Sequence, residues 1–303
     1  MKLLTLVLLF FSFSSLSLTE VVNSFKQSCP NFCIRNPKKP SDIIIPTIFS
    51  GDQYKMIYLR WKTEYRFATV YDTERRIPVY SAYTFSGKVK TNRINVWKIE
   101  PQLENIKEYK SLKEMIDSPR EAGKIFNQAV DSYYKDIKYI EVITRGHVFP
   151  YQFAADQDQS DSTFTLTNVA PQSNVSNHKW GKQVEDQMLK EIKESSTLKQ
   201  NHQAYIVTRV VPGENRISIT TNGKVIEKGI NIPSHFWSAF YCMNKTHPNI
   251  RTVKTYLAEQ ENFKLRHPSI YNLNKQLSDL YDLKNKKTNM KETFSVFPGL
   301  DLK

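Results

Sequence analysis

The chain has 303 residues, with 43 Lys and Arg against 30 Asp and Glu, for a formal net charge of +13. That excess points either to a polyanion partner or to a solubility device, and its scatter along the chain excludes a basic arm or tail. With 40% hydrophobic residues and no internal repeat, the composition excludes a disordered or solenoid protein and fits one large globular domain.

Residues 1–20, MKLLTLVLLFFSFSSLSLTE, combine one early lysine, a short apolar core and small residues near Ser15 and Ser17. This predicts a secretory signal peptide cleaved between Ser17 and Glu20. An uncleaved anchor is the rival reading, but the apolar run is short against the roughly 20 residues that span a bilayer. No later stretch is apolar enough to cross a membrane, so a secreted, extracellular protein of about +12 is expected once Lys2 is lost. The expected division is a globular domain over 21–255 and a basic, helical extension over 256–303, packed on the domain or trailing it. In an oxidising compartment one pair among Cys29, Cys33 and Cys242 is expected to bridge. Cys29 with Cys33 would be a local clip, and either with Cys242 would tie the N-terminal segment to the body. No second C-x-x-C and no histidine at ligand spacing supports zinc.

In chain order, residues 66–71 (RFATVY) and 78–86 (PVYSAYTFS) read as strands around the turn DTERR. Residues 104–116 and 120–136 read as helices, the second opening near Pro119, and 138–144 and 163–169 as two more strands. Residues 205–211, 216–221 and 224–226 flank a PGEN stretch and an Asn222-Gly223 pair that favours a type I′ hairpin. Near the end, NLNKQLSDLYDL has the spacing of an amphipathic helix. Strands and helices in mixed order, without βαβ alternation, predict an α+β fold with a mainly antiparallel sheet flanked by helices.

Two stretches carry chemistry. In VITRGHVFP, residues 142–150, strand alternation puts Arg145 and His147 on one face, with Gly146 between them leaving room for a close neighbour. In residues 164–192, a strand ends near Asn168 and a loop with Pro171 and Gln172 follows. Trp180, Val184, Met188 and Ile192 then recur at helical spacing, with Ser176 or Asn177 as N-cap. Singly, each has an ordinary structural explanation: Asn177 a cap, Glu185 a solvated charge, Trp180 core. There is no G-x-S-x-G, H-E-x-x-H or Walker loop.

Taken together, Arg145-Gly146-His147, Asn168, Pro171-Gln172, Asn177, Trp180 and Glu185 resemble the DNA/RNA non-specific endonuclease family of ββα-metal, or His-Me finger, nucleases. YDTERRIPVYSAYTFSG, VWKIEPQL, YIVTRVVP and INIPSHFWSAFYC extend the resemblance, over roughly residues 50–245, to its secreted endonuclease domain-containing 1 subgroup. The resemblance implies Mg²⁺-dependent hydrolysis of DNA or RNA phosphodiesters through backbone contacts, with Mn²⁺ or Ca²⁺ as substitute ions. His147 would be the general base, and Asn177 the one direct protein ligand to the metal. Glu185 would hold one of the metal's waters, Arg145 would clamp the phosphate, Asn168 would brace the site, and Arg76 would be a weaker second phosphate contact. The family has Asp before R-G-H and L-N-P after it, where this chain has Thr144 and Val148-Phe149-Pro150. That departure keeps a second expectation in view, a weak or inactive relative that binds nucleic acid or another polyanion. Thr144 should point away from the Arg145 and His147 face and brace from behind. Two sequons, Asn174-Val175-Ser176 and Asn244-Lys245-Thr246, are glycan acceptors in a secreted chain, Asn244 being the better placed. The sequence assigns no oligomeric state.

Overall fold

A computed structural model describes residues 20–28, 30–36, 39–62, 64–108, 115–119, 123, 125–135, 143–195, 203–221, 223–243, 251–281 and 293–300. The first part runs through β1 (Glu20–Val22), α1 (Phe25–Ser28), β2 (Ile34–Asn36), β3 (Lys39–Ile44), β4 (Tyr54–Trp61), β5 (Glu64–Asp72) and β6 (Ile77–Phe85). The middle holds β7 (Lys98–Ile99), β8 (Ile116–Asp117), α2 (Asp131–Lys135), β9 (Ile143–His147), α3 (Gln157–Ser162), β10 (Val169–Ser173), α4 (Asn174–Trp180) and α5 (Asp186–Ser195). The last part is β11 (Ala204–Thr221), β12 (Lys224–Met243), β13 (Arg251–Glu259), β14 (Leu265–Arg266) and α6 (Ile270–Leu280). The fold is α+β, as expected.

Eight antiparallel strands form the central sheet in the order β1-β4-β5-β6-β11-β12-β13-β14. Successive side chains leave a strand on opposite faces, and here both faces are covered. Ile57, Phe67, Ile206, Phe236 and Phe240 enter one core, and their alternates Tyr58, Ala68, Val207, Trp237 and Tyr241 enter the other. That is why these strands read as nearly continuous apolar runs. The first core is capped by β10, α4, α5 and the segments that follow β9 and α4, which contribute Val148, Phe149, Val169, Trp180, Val184, Met188 and Ile192. Trp180 packs on Phe236 at 5.9 Å between ring centroids, and truncating such a buried indole costs about 3–5 kcal/mol. The second core is covered from both ends of the chain, by Phe25, Phe32 and Phe49 and by Leu273, Leu277, Phe294 and Val296.

β11 and β12 pair as one long, bulged hairpin. Gly223 at its turn has φ 71°, the left-handed conformation that an Asn-Gly hairpin requires; Asn222 lies outside the described residues. The boundary expected at 255 falls inside β13, which pairs with β12 along Arg251–Glu259.

Four expected elements differ. Residues 104–108 form a turn and Ile116–Asp117 a strand, so no helix runs over 104–116; residues 109–114 lie outside the described residues. Among the described residues between 120 and 136 the helix is Asp131–Lys135, and residues 120–122, 124 and 136 lie outside them. Ahead of it, the Glu104 carboxylate accepts from the Phe126 and Asn127 amides, and Gln128 exchanges hydrogen bonds with the Glu100 backbone. Such side-chain partners replace the helical ladder. Residues 138–142 lie outside the described residues, and the strand runs over Ile143–His147. Residues 166–168 form a 3₁₀ turn, so the partner strand starts at Val169 and Pro171 lies within it.

Candidate active site

β9 and β10 pair in the register Val169 with His147, Gly146 with Ala170 and Thr144 with Gln172. Gly146 is demanded by packing, since a Cβ there would come within 2.8 Å of the Gln172 Cβ. α4 follows β10 without a loop. Ser173, rather than Ser176 or Asn177, caps it by accepting from the Ser176 amide at 3.2 Å. Gly181–Glu185 is a π turn between α4 and α5. This wider turn absorbs part of the drift that a strict four-residue spacing of Trp180, Val184, Met188 and Ile192 builds against 3.6. It also sets where Glu185 points relative to Asn177.

His147 lies among Trp97, Phe164 and Tyr151, with centroid distances of 5.4, 5.0 and 5.9 Å. Its Nε2 is sealed from solvent and has no partner among the described residues. Burial, and then the charge of Arg93, push its pKa down to about 3, so the ring is neutral at physiological pH. Arg145 is held between Trp97 and Tyr134, each ring centroid 5.2 Å from its Cζ. It pairs with the Asp131 carboxylate and donates to the Asp131 carbonyl at 3.1 Å.

Asn177, on α4, reaches Thr144 of β9. Its Nδ2 donates to Thr144 Oγ1 at 2.9 Å, and the Thr144 hydroxyl donates onward to the Gln172 carbonyl at 2.9 Å. The hydroxyl has one proton, already given to Gln172, so it can only accept from Asn177. The amide nitrogen is thereby fixed at Thr144, and Oδ1 is the end that this bond does not use. Thr144 braces from behind, onto the backbone and onto the proposed ligand itself.

Glu185 accepts from Gln152 Nε2 at 2.6 Å. Burial raises its carboxyl to about 7, against the opposing Gln152 bond. Gln152 follows Tyr151, whose ring faces His147, so one 3₁₀ turn, Tyr151–Phe153, links the two residues. Asn168 is fully buried. Its Nδ2 donates to the Phe149 and Thr163 carbonyls and its Oδ1 accepts from the Phe149 amide and the Ser81 hydroxyl. With its capacity filled by protein, it clamps the turn after His147. Arg76 has φ 55° and donates to the carbonyls of Phe126, Lys228 and Gly229. Those bonds hold a left-handed, non-glycine backbone and commit Nε and Nη1 of the guanidinium expected to make a second phosphate contact to backbone carbonyls.

Cys33 and Cys242 are both free and buried, so neither takes part in the expected bridge; Cys29 lies outside the described residues. Cys242 belongs to the first core, whereas Phe32 and Ile34 around Cys33 belong to the second, so the sheet separates them. Burial pushes both thiols up to about 12. Asn174 is exposed in the first turn of α4, and Asn244 lies outside the described residues. Four residues at or behind the site carry no motif of their own: Trp97, Asp131, Gln152 and Ser81. Trp97 lies in VWKIEPQL and Ser81 in YDTERRIPVYSAYTFSG, so these two have a sequence signal, and Asp131 and Gln152 have none.

Among the described residues no helix is long and apolar enough to cross a membrane. The chain is similar to the endonuclease domain-containing 1 proteins of Homo sapiens and Mus musculus, 28% and 27% identical over 201 residues. The matches cover 65% of this chain but only 36% of each relative, so the chain spans about a third of their length. The solved EndoG/EndoGI complex is similar at a TM-score of 0.45 and 13% identity, over 66% of this chain and 74% of that one. The family pattern itself runs over residues 58–299, from within β4 through β9, β10 and α4 to the segment that follows α6, and the chain belongs to the DNA/RNA non-specific endonuclease family.

Proposed function

We propose that the chain is a secreted, Mg²⁺-dependent endonuclease that hydrolyses phosphodiester bonds in DNA or RNA without reading bases. What supports this reading is that β9 carries both a neutral His147 with an orphaned Nε2 and the Thr144 hydroxyl that holds Asn177 by its Nδ2, leaving Oδ1 as the end not used in that bond. An unpartnered imidazole nitrogen at the end of β9 suits a base that takes its proton from an attacking water. An approaching phosphate raises the proton affinity of that ring, because its negative charge opposes the burial and the cation that lower it. Arg145, stacked between two rings and anchored at Nη2, retains donors for a phosphate oxygen. In this reading Glu185, held by Gln152, would orient water, and Asn168 would fix the turn that aims His147.

The donor set fits a hard cation that keeps most of its waters. Among the described residues no three His, Cys, Asp or Glu side chains gather to cage a metal, so Asn177 Oδ1 would be the protein ligand. Bound there, Mg²⁺ would supply positive charge beside the scissile phosphate.

Supercoiled-plasmid nicking with and without EDTA tests the reading. The chain should nick with Mg²⁺ and not with EDTA, and His147→Ala and Asn177→Ala should each lose about 10²- to 10⁴-fold with unchanged circular dichroism. Near-normal rates in both variants would end the site assignment. No nicking by the unaltered chain would leave the rival reading, a nuclease fold that only binds polyanions, motivated by Thr144 in place of the family Asp.

A further inference from the structure

Arg209 on β11 is fully buried among the side chains of the second core and takes no part in the chemistry proposed above. Its Cζ stands 4.2 Å from the ring centroid of Phe294, 4.6 Å from that of Tyr281, 4.8 Å from Phe49, 5.2 Å from Tyr80 and 5.7 Å from Trp237. Nε donates to the Val79 carbonyl at 3.0 Å, whereas Nη1 and Nη2 are sealed from solvent and have no partner among the described residues. The ionisable groups that act on the guanidinium are the phenols of Tyr281, Tyr80 and Tyr54, and no carboxylate is among them. Ring faces attract a cation but supply no lone pair for its N–H groups. A buried charge with unused donors is costly until an anion meets it.

A cavity of about 540 Å³ adjoins this cage. Phe49 and Tyr281 belong to both, and Val79, which accepts from Arg209, lines the cavity as well. Ile77, Pro78, Val210 and Leu280 make its wall largely apolar. Of its two carboxylates, Asp72 is paired with Arg75 at 2.9 Å and Glu214 is exposed. The charge left without an opposite is therefore that of Arg209, behind the two shared rings. Tyr281 is fixed, its hydroxyl donating to the Val210 carbonyl at 2.8 Å and accepting from Trp237 Nε1 at 3.2 Å. Phe49 is held by packing on the rings of Tyr54, Tyr281 and Phe294, so it is the part of the wall that can turn aside. A mainly apolar cavity of this size with a few convergent polar groups has the character of a small-molecule site.

We infer that this cavity binds a small amphipathic acid, an apolar body with one carboxylate, whose head reaches the Nη donors of Arg209 past the Phe49 ring. The planar pair of carboxylate oxygens matches the guanidinium fork. Phe49 comes from the N-terminal cover of the second core and Tyr281 from the tail, so the ligand joins the two ends of the chain over the sheet and stabilises the fold by mass action. None of the residues lining the cavity belongs to the His147 site, and the inference stands whether or not the chain is a hydrolase.

Calorimetric titration of the unaltered chain with octanoate, octan-1-ol and acetate tests it, with thermal melting at equal ligand concentrations as a second reading. Octanoate should bind roughly ten- to a hundredfold more tightly than octan-1-ol, the worth of one charge-assisted hydrogen bond, and should raise the melting temperature. Arg209→Met, which keeps the length and removes the charge, should bring the two ligands level. Should that variant not fold, Phe49→Ala carries the same test, because thinning the wall before the guanidinium should widen the preference for octanoate. Equal binding of octanoate and octan-1-ol, or no binding of either, overturns the inference, as does a preference that neither substitution alters. Acetate binding as tightly as octanoate would leave only an anion site and overturn the amphipathic ligand.

Discussion

Thr144→Val removes one hydroxyl and keeps the β-branched shape that the strand packs. Two hydrogen bonds go with it, each 2.9 Å: the one received from Asn177 Nδ2 and the one given to the Gln172 carbonyl. At about 0.5–1.5 kcal/mol apiece, their loss costs roughly 1–3 kcal/mol in all. Only the Asn177 bond orients the free Oδ1, so only that share reaches the reaction, about two- to tenfold in kcat/KM. The remainder should appear as lower thermal stability. Titrating Mg²⁺ in a plasmid-nicking assay reads the first share directly: the valine variant should need more Mg²⁺ for half-maximal rate, and Thr144→Ser should restore the curve. Thr144→Asp recreates the family residue but not its setting, for a carboxylate accepts from Asn177 yet cannot donate to the Gln172 carbonyl. Its gain should therefore stay below about tenfold. A valine variant with an unaltered Mg²⁺ curve would refute the orienting role. An inert natural protein that becomes clearly active as Thr144→Asp would favour the degenerate-enzyme reading instead.

Three other outcomes are expected. Glu100 is buried beside Thr165 and Thr167, whose hydroxyls donate to Oε1 while Oε2 has no partner among the described residues, and burial lifts its carboxyl to about 8. A folded value above the unfolded ~4.3 means stability present at low pH and lost as pH rises toward 8; Glu100→Gln, which keeps Oε1, should melt higher than the unaltered chain at alkaline pH, and equal melting there would contradict the burial argument. If about four to six phosphates are neutralised, duplex affinity should fall with salt at a log-log slope near −0.9 per phosphate; a flat response would mean that the positive charge serves solubility. Mass spectrometry of active, secreted material should find Asn244 glycosylated and Asn174, three residues before Asn177, empty or partly filled; full occupancy of Asn174 would count against α4 facing a duplex.

The sheet was legible where both periodicity and turn chemistry were local. β5, β6 and the β11–β12 hairpin announce themselves through β-branched and aromatic runs around DTERR and Asn222-Gly223. The stretch from 104 to 135 was not legible, because its helix-like apolar spacing is overruled by hydrogen bonds that Glu104 and Gln128 make to backbone over twenty residues away in sequence. No window of the sequence reveals such a partner. The tail was half legible: α6 follows from the spacing of Leu273 and Leu277, but its role as a cover for a second core depends on Phe49 and Tyr80 from the other end of the chain.

The site divides the same way, and the division has a physical cause. Groups that would meet substrate or metal in the proposed reading must lie on elements that hold them rigidly with respect to one another, and His147, Asn177 and Glu185 lie on β9, α4 and the π turn after it, close enough in sequence to be read as a spaced pattern. Groups that orient them need only arrive in space. Asp131 reaches Arg145 from α2, Ser81 reaches Asn168 from the central sheet, and Gln152 reaches Glu185 from a 3₁₀ turn. Thr144 is the exception that joins the two sets. It lies inside the pattern, between Ile143 and Arg145, yet strand alternation directs it away from the substrate face, so the family's acid could be exchanged for a hydroxyl without moving any reacting group. Either group accepts from Asn177 Nδ2, the carboxylate because it carries no proton and the hydroxyl because its one proton goes to the Gln172 carbonyl, so the exchange leaves the same end of Asn177 bound at position 144 and gives up only the bond to Gln172.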